Sequence, residues 1–347
     1  MYRYICTAFV FALSLFFLSD VSAGSNGDAP LEGEDWIITQ DTHVWDDDVN
    51  VKNILVTNGK TLKLENVSLN SIGSIRIHGE TIWLNSSIFH DKRDVEDNIS
   101  LYSKLQIIST ELLMNATDSY DGNNANVFYV SKDAELVVRD YDNDETTLSD
   151  RSVIKGLNSH IQDFDNRNNH SISIGNCVKK VCSHGSEDPE LWYNEAKFSI
   201  KNSYFENIYG VRLYGRTGQI ESTHFNNIGF VSMVGNNTLF SNNLLTNSWI
   251  GFDLTASGTN ININNNTFEN GTNGVHLWSC APCGWLTDEA LIENNQFLNY
   301  NQPAWGSSVA LQISDGNNHT VQHNTFKNIS NHAFRFNAVN DTVFTGN

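Results

Sequence analysis

Residues 265–277 read NNTFENGTNGVHL, and the same sentence returns in five other places in the second half of the chain. The copies are NSYFENIYGVRL (202–213), STHFNNIGFVSM (222–233), NNLLTNSWIGFDL (242–254), NNQFLNY (294–300) with a delayed VAL (309–311), and HNTFKNISNHAFRF (323–336). Their anchors are Phe205, Phe225, Leu245, Phe268, Phe297 and Phe326, separated by 20, 20, 23, 29 and 29 residues. So short and uneven a period marks a solenoid whose coils share one inner core while their loops differ in length.

Each copy contains three short runs in which apolar and polar residues alternate. Around Phe268 these are Ile261-Asn262-Ile263, Thr267-Phe268 and Val275-His276-Leu277. Alternation sends every second side chain to one face, as a strand does. The corners between runs are too short for a crossover helix. The reading is therefore an all-β fold: a right-handed, single-stranded parallel β-helix with three sheets and coils of 20–29 residues. Strands of neighbouring coils would lie about 4.8 Å apart.

Two residues after each anchor stands an asparagine: Asn207, Asn227, Asn247, Asn270, Asn299 and Asn328. Asparagine tolerates the left-handed backbone of a sharp corner, and stacked amides bond one another. This column is expected to be a structural ladder.

Alternation begins earlier but less regularly, with Val51 to Phe89, LYSKLQIIS, VFYV and LVVRD. The expected organisation is a secretory signal over 1–23, a leader and cap over 24–48, and the solenoid over 49–347, with polar insertions at 90–100, 115–126, 140–152 and 175–197. Residues 343–347 (VFTGN) match the first strand and corner of another coil. The chain thus reads as stopping inside a coil, with further C-terminal coils or domains expected, because an open coil presents an unpaired strand edge.

The signal rests on Arg3, the apolar run Ala8 to Leu18 and the small residues Val21-Ser22-Ala23. That run is too short for a membrane span. A cleaved signal implies a secreted or cell-surface protein. The net charge of −19 excludes a nucleic-acid partner, which needs a basic surface.

Four cysteines remain after processing: Cys177, Cys182, Cys280 and Cys283. The two pairs sit four coils apart, roughly 19 Å at the sheet spacing, whereas a disulfide needs Cα atoms within about 7 Å. Local bridges Cys177–Cys182 and Cys280–Cys283 are expected in an oxidising compartment. A four-thiolate zinc site with His184 in reserve is the rival reading. Eleven Asn-x-Ser/Thr sequons mark a candidate glycoprotein, with Asn98 and Asn115 the best-placed acceptors.

The third run of each coil offers the best site. Its middle residue points outward, and stacking gives a column of Ser173, Arg212, Ser232, Asp253, His276, Ala310 and Arg335. Asp253 beside His276 suits acid–base chemistry, and Arg212 and Arg335 suit holding an anionic group. Tyr214 and Trp278 follow on the same strands, and Trp192, Trp285 and Trp305 lie in the flanking insertions. Aromatic faces beside polar groups suit sugar rings. Glycosidases need two carboxylates about 5–9 Å apart, and this column supplies one. An ordinary charged sheet face is the competing account of the column.

Asp140, Asp142 and Asp144 begin like a calcium loop and are the candidate weak Ca²⁺ ligands, the one cofactor expected. The pattern departs from a full loop, because Glu145 stands where glycine belongs and Arg151 where a bidentate glutamate belongs.

The N-x-F-x-N…G-V-x-L copies between Asn202 and Phe336 resemble the right-handed parallel β-helix repeats of secreted carbohydrate-acting proteins, in the broad pectate-lyase-like superfamily. The resemblance implies a fold with many activities, including lyases, hydrolases, epimerases and non-catalytic surface proteins, and no lyase motif carries catalytic residues over. The chain is read as a non-catalytic glycan-binding or spacer protein with a polysaccharide or surface glycan as partner. The alternative is a polysaccharide lyase, hydrolase or epimerase working in a groove on the third sheet.

Overall fold

The computed structural model describes residues 24–25, 30–94, 96–116, 126–142, 144, 147–157, 172–175, 195–215, 217–248, 250–254, 258–278, 287–300 and 308–347. Among these residues there are only strands, turns and bends. They form three sheets of 13, 11 and 12 strands, visited in rotation. Gly258–Asn264 belongs to the first sheet, Thr267–Glu269 to the second and Asn273–Trp278 to the third. Neighbouring coils pair in parallel throughout; only Gly24–Ser25 runs antiparallel, against Thr42–Trp45. No helix among the described residues is long and apolar enough to cross a membrane.

The parallel stack begins at Trp36–Ile38, which pairs with Ile54–Val56, rather than at residue 49. The sequence around it is acidic and short of apolar residues, so only pairing with the next coil reveals the strand. Trp36 and Ile38 are both buried while Ile37 faces solvent.

The anchors fill the core. Phe205, Phe225, Phe268 and Phe297 are each at most 1% exposed. Phe205 stacks on Phe225 at 5.1 Å, Phe268 on Phe297 at 5.1 Å, and Phe297 on Phe326 at 4.9 Å. Leu245 interrupts the aromatic column, and Phe240 of the first sheet fills the gap, 6.4 Å from Phe225 and 6.3 Å from Phe268. One ring per layer is conserved in space although its place in the sequence changes.

The corner after the second sheet is made by Asn207, Asn227, Asn247, Asn270, Asn299 and Asn328, all with φ between 51° and 61°. Asn227 donates to Asn207 Oδ1 at 2.7 Å and Asn328 to Asn299 Oδ1 at 2.8 Å. The ladder is not continuous: Asn247 donates to Asn226, and Asn299 to Glu269.

A second, buried ladder runs at the corner between the first and second sheets, and the sequence reading missed it. Asn243, Asn266, Asn295 and Asn324 are at most 3% exposed. Each donates through Nδ2 to a carbonyl of the preceding coil and to Oδ1 of the next asparagine. Each Oδ1 also accepts the backbone N–H one coil back. Asn347 takes the last described rung, accepting from Asn324 at 2.8 Å. In earlier coils Ser86, Thr110 and Ser152 occupy the same slot with hydroxyls. The available signal was the Asn-Asn doublet before Leu245, Phe268 and Phe297, whose second member is the buried one.

Candidate functional site

The outer face of the third sheet is built by parallel register, which from Arg212 to Arg335 shifts once, between Phe230 and Val231, where Ile250–Leu254 carries one extra residue. Arg212 pairs with Ser232, Ser232 with Asp253, Asp253 with His276, His276 with Gln312, and Gln312 with Arg335. Toward the N-terminus the same column continues through Gly175, Tyr129, Ser100, Arg76, Leu55 and Ile37.

Two members differ from the expected column. Gly175, not Ser173, lies beside Arg212, and Ser173 is 4% exposed. Gln312, not Ala310, lies between His276 and Arg335, and Ala310 is fully buried. Both differences have one cause. Ile172-Ser173-Ile174 and Val309-Ala310-Leu311 sit in runs whose alternation extends two residues further, to Gly175 and Ile313. Alternation fixes a face, but a slip of two residues preserves it. Only pairing with the neighbouring coil selects the member that joins the column.

Arg212 lays its guanidinium over the ring of Phe230, 4.6 Å from the centroid, a cation–π contact. Phe230 in turn meets the edge of Tyr209 at 5.6 Å. Ser232 is 1% exposed, and its hydroxyl has no hydrogen-bond partner among the described residues. His276 is half-buried, Gln312 donates to Ser314 Oγ at 3.1 Å, and Arg335 is exposed. Asp253 and Trp278 are placed by their backbones in Ile250–Leu254 and Asn273–Trp278; their side chains lie outside the described part. Tyr214 is 8% exposed and packs with the core, which leaves little of its ring for a sugar. Trp192, Trp285 and Trp305, with Cys177, Cys182, Cys280, Cys283 and His184, lie outside the described residues.

The acidic turn after Glu135–Arg139 gathers a different trio from the one expected. Carboxylate oxygens of Asp140, Asp142 and Asp150 lie within 4.8 Å of one another. Asp150, eight residues along the chain, takes the place expected for Asp144, whose backbone N–H instead caps Asp142 at 2.9 Å. Asp140 is fully buried and accepts from Asn202 at 2.9 Å.

With sheets and corners in place, comparison decides the class. A family model described as "Right handed beta helix region" matches residues 190–347. The chain is a right-handed parallel β-helix protein. The chain is also similar to two solved structures. One is a PL6 alginate lyase in complex with a trisaccharide, at 12% identity and TM-score 0.42, covering 96% of this chain and 82% of that one. The other is the alginate lyase AlyF-OU02 in complex with G6, at 12% identity and TM-score 0.38, with the same coverage. No curated protein matches the β-helix significantly.

Proposed function

We propose that this β-helix is an exported glycan-binding protein that lays a polysaccharide along the outer face of its third sheet without cleaving it. The observation that carries the reading is the column of polar residues paired coil by coil from Arg212 to Arg335. It repeats a polar side chain at each inter-strand step of about 4.8 Å, comparable with the rise of one sugar residue along a chain. Arg212, packed over the Phe230 ring, offers guanidinium donors to hydroxyl or carboxylate oxygens. Export rests on the N-terminal signal, and the local disulfides go with it. The Asp140, Asp142 and Asp150 carboxylates are the candidate Ca²⁺ ligands, since hard cations take several oxygens at once.

A second reading is favoured by one specific observation, the backbone register that pairs Asp253 with His276. It makes the face that of a polysaccharide lyase, hydrolase or epimerase, with His276 moving a proton, Asp253 orienting it, and Arg212 or Arg335 holding an anionic group.

The test is incubation with a polysaccharide panel plus Ca²⁺, following both chain cleavage and co-sedimentation. Co-sedimentation without cleavage, weakened in Arg212→Ala and Arg335→Ala, is the expected result. Cleavage abolished by His276→Ala replaces it with the enzyme reading. Neither binding nor cleavage overturns both and leaves a structural spacer.

A further inference from the structure

The opposite end of the same face carries a second constellation that the Arg212–Arg335 column does not use. Its floor is the N-terminal stretch of the outward column: Ile37, Leu55 and Arg76. Ile37 is 57% exposed, an unusual position for isoleucine on a strand, and Arg76 is exposed with no ion pair among the described residues. A cleft of about 730 Å³ opens over this floor, within the size range of small-ligand sites.

One wall of the cleft is the turn carrying Asp94, Glu96 and Asp97. This wall is anchored from beneath. His90, fully buried, bonds through Nε2 to the Asp97 carbonyl at 3.1 Å. Lys92, 5% exposed, donates to Asn98 Oδ1. Asp94 N–H donates to Asp97 Oδ2 at 2.8 Å and Asp97 N–H to the Asp94 carbonyl at 3.1 Å. The facing rim holds Asp35, fixed by Asn53 at 2.8 Å.

Two residues beyond Arg76, just past the end of its strand Ile75–Ile77, His78 begins an aromatic ridge. It stacks on Tyr102 at 4.4 Å with planes 2° apart, and Tyr129 of the next coil meets Tyr102 edge-on at 6.1 Å. His78 is exposed and Tyr102 is 41% exposed. Five successive coils thus place an apolar floor, a guanidinium without an ion pair among the described residues, and a ring ridge side by side.

We infer that this end of the third sheet is a separate carbohydrate site, which takes the end of a neutral, hydroxyl-rich oligosaccharide. The apolar floor and ring ridge match the C–H faces of pyranose rings, and the carboxylates and Arg76 match their hydroxyls as acceptors and donor. Charge selects the class. The cleft sets Asp35, Asp94, Glu96 and Asp97 against Lys52 and Arg76, an acid-rich lining that repels a polyuronate. The site does not depend on the Arg212–Arg335 column binding anything.

The experiment is calorimetric titration of the full chain with cello-, manno- and laminari-pentaose, and with penta-uronates of matching length. A neutral pentaose is expected to bind, and uronates to bind more weakly. Tyr102→Ala is expected to weaken binding about tenfold, the scale of losing an aromatic contact. Tyr102→Phe retains the ring and binds as wild type, Arg76→Ala loses affinity, and Lys201→Ala on the first sheet changes nothing. Circular dichroism of each variant verifies the fold. Absence of binding to every neutral pentaose overturns the inference, as does wild-type affinity in folded Tyr102→Ala and Arg76→Ala. Binding lost in Arg335→Ala but intact in Tyr102→Ala overturns it too, while upholding the distant column.

Discussion

The Asn266 side chain donates through Nδ2 to Oδ1 of Asn295 at 2.9 Å, one coil further along. The same amide donates to the Phe240 carbonyl at 2.8 Å, and its Oδ1 accepts the Asn243 backbone N–H at 2.9 Å. One buried side chain therefore satisfies a carbonyl and an N–H at the corner of the preceding coil. Asn266→Ala orphans them, at an expected cost on the order of 3 kcal/mol. Asn266→Thr is expected to cost less, because Thr110 fills the equivalent slot with its hydroxyl accepting the Ser86 N–H of the preceding coil at 3.2 Å. Urea unfolding midpoints of the two variants measure the difference; equal losses would mean the rung is filled by packing alone.

The exposed corner at Asn270 behaves differently. Its φ of 56° is the reason for asparagine there. Asn270→Gly is expected to be within about 0.5 kcal/mol of wild type, and Asn270→Ala to lose about 1 kcal/mol from the left-handed penalty. Thermal melts of the pair check this, and an Ala variant as stable as Gly removes the conformational argument.

Leu245→Phe restores the repeat consensus yet is expected to destabilise by about 1–3 kcal/mol. Phe240 already occupies that layer between Phe225 and Phe268. Phe240→Leu in the same chain should recover part of the loss, which a double-mutant cycle on unfolding midpoints reads directly. Strict additivity would show that the two rings do not compete for one volume.

Burial lowers the His90 imidazole to about 4 from an ordinary value of 6.5. The unfolded chain therefore binds this proton between those values and the folded chain does not. Stability is fully present above pH 6.5 and falls as pH drops toward 4, by roughly 3 kcal/mol. His90→Leu cannot take up that proton. It starts less stable at pH 7, having lost the bond to the Asp97 carbonyl, and its deficit should shrink on acidification. Melting both proteins from pH 7 to 4 decides the matter, and a constant deficit would mean that His90 titrates normally.

Several features needed no coordinates. Alternation gave the strands, the anchor spacing gave coils with variable loops, and Asn207 through Asn328 marked the corners, because one-dimensional repetition writes a solenoid's inner geometry into local sequence. The polar column was legible from Arg212 to His276 for the same reason.

What tertiary structure alone decided is how coils pair. It placed Gly175 and Gln312 in the column, set Phe240 in the gap left by Leu245, buried the second asparagine of each doublet, and began the stack at Trp36. It also folded the turn after Lys92 against Ile37, Leu55 and Arg76, residues distant in the chain, to make the N-terminal cleft. The physical reason is common to all. Side-chain alternation has a period of two and determines only the face, whereas register and loop placement depend on hydrogen bonds and packing between coils, which lie 20 or more residues apart in sequence.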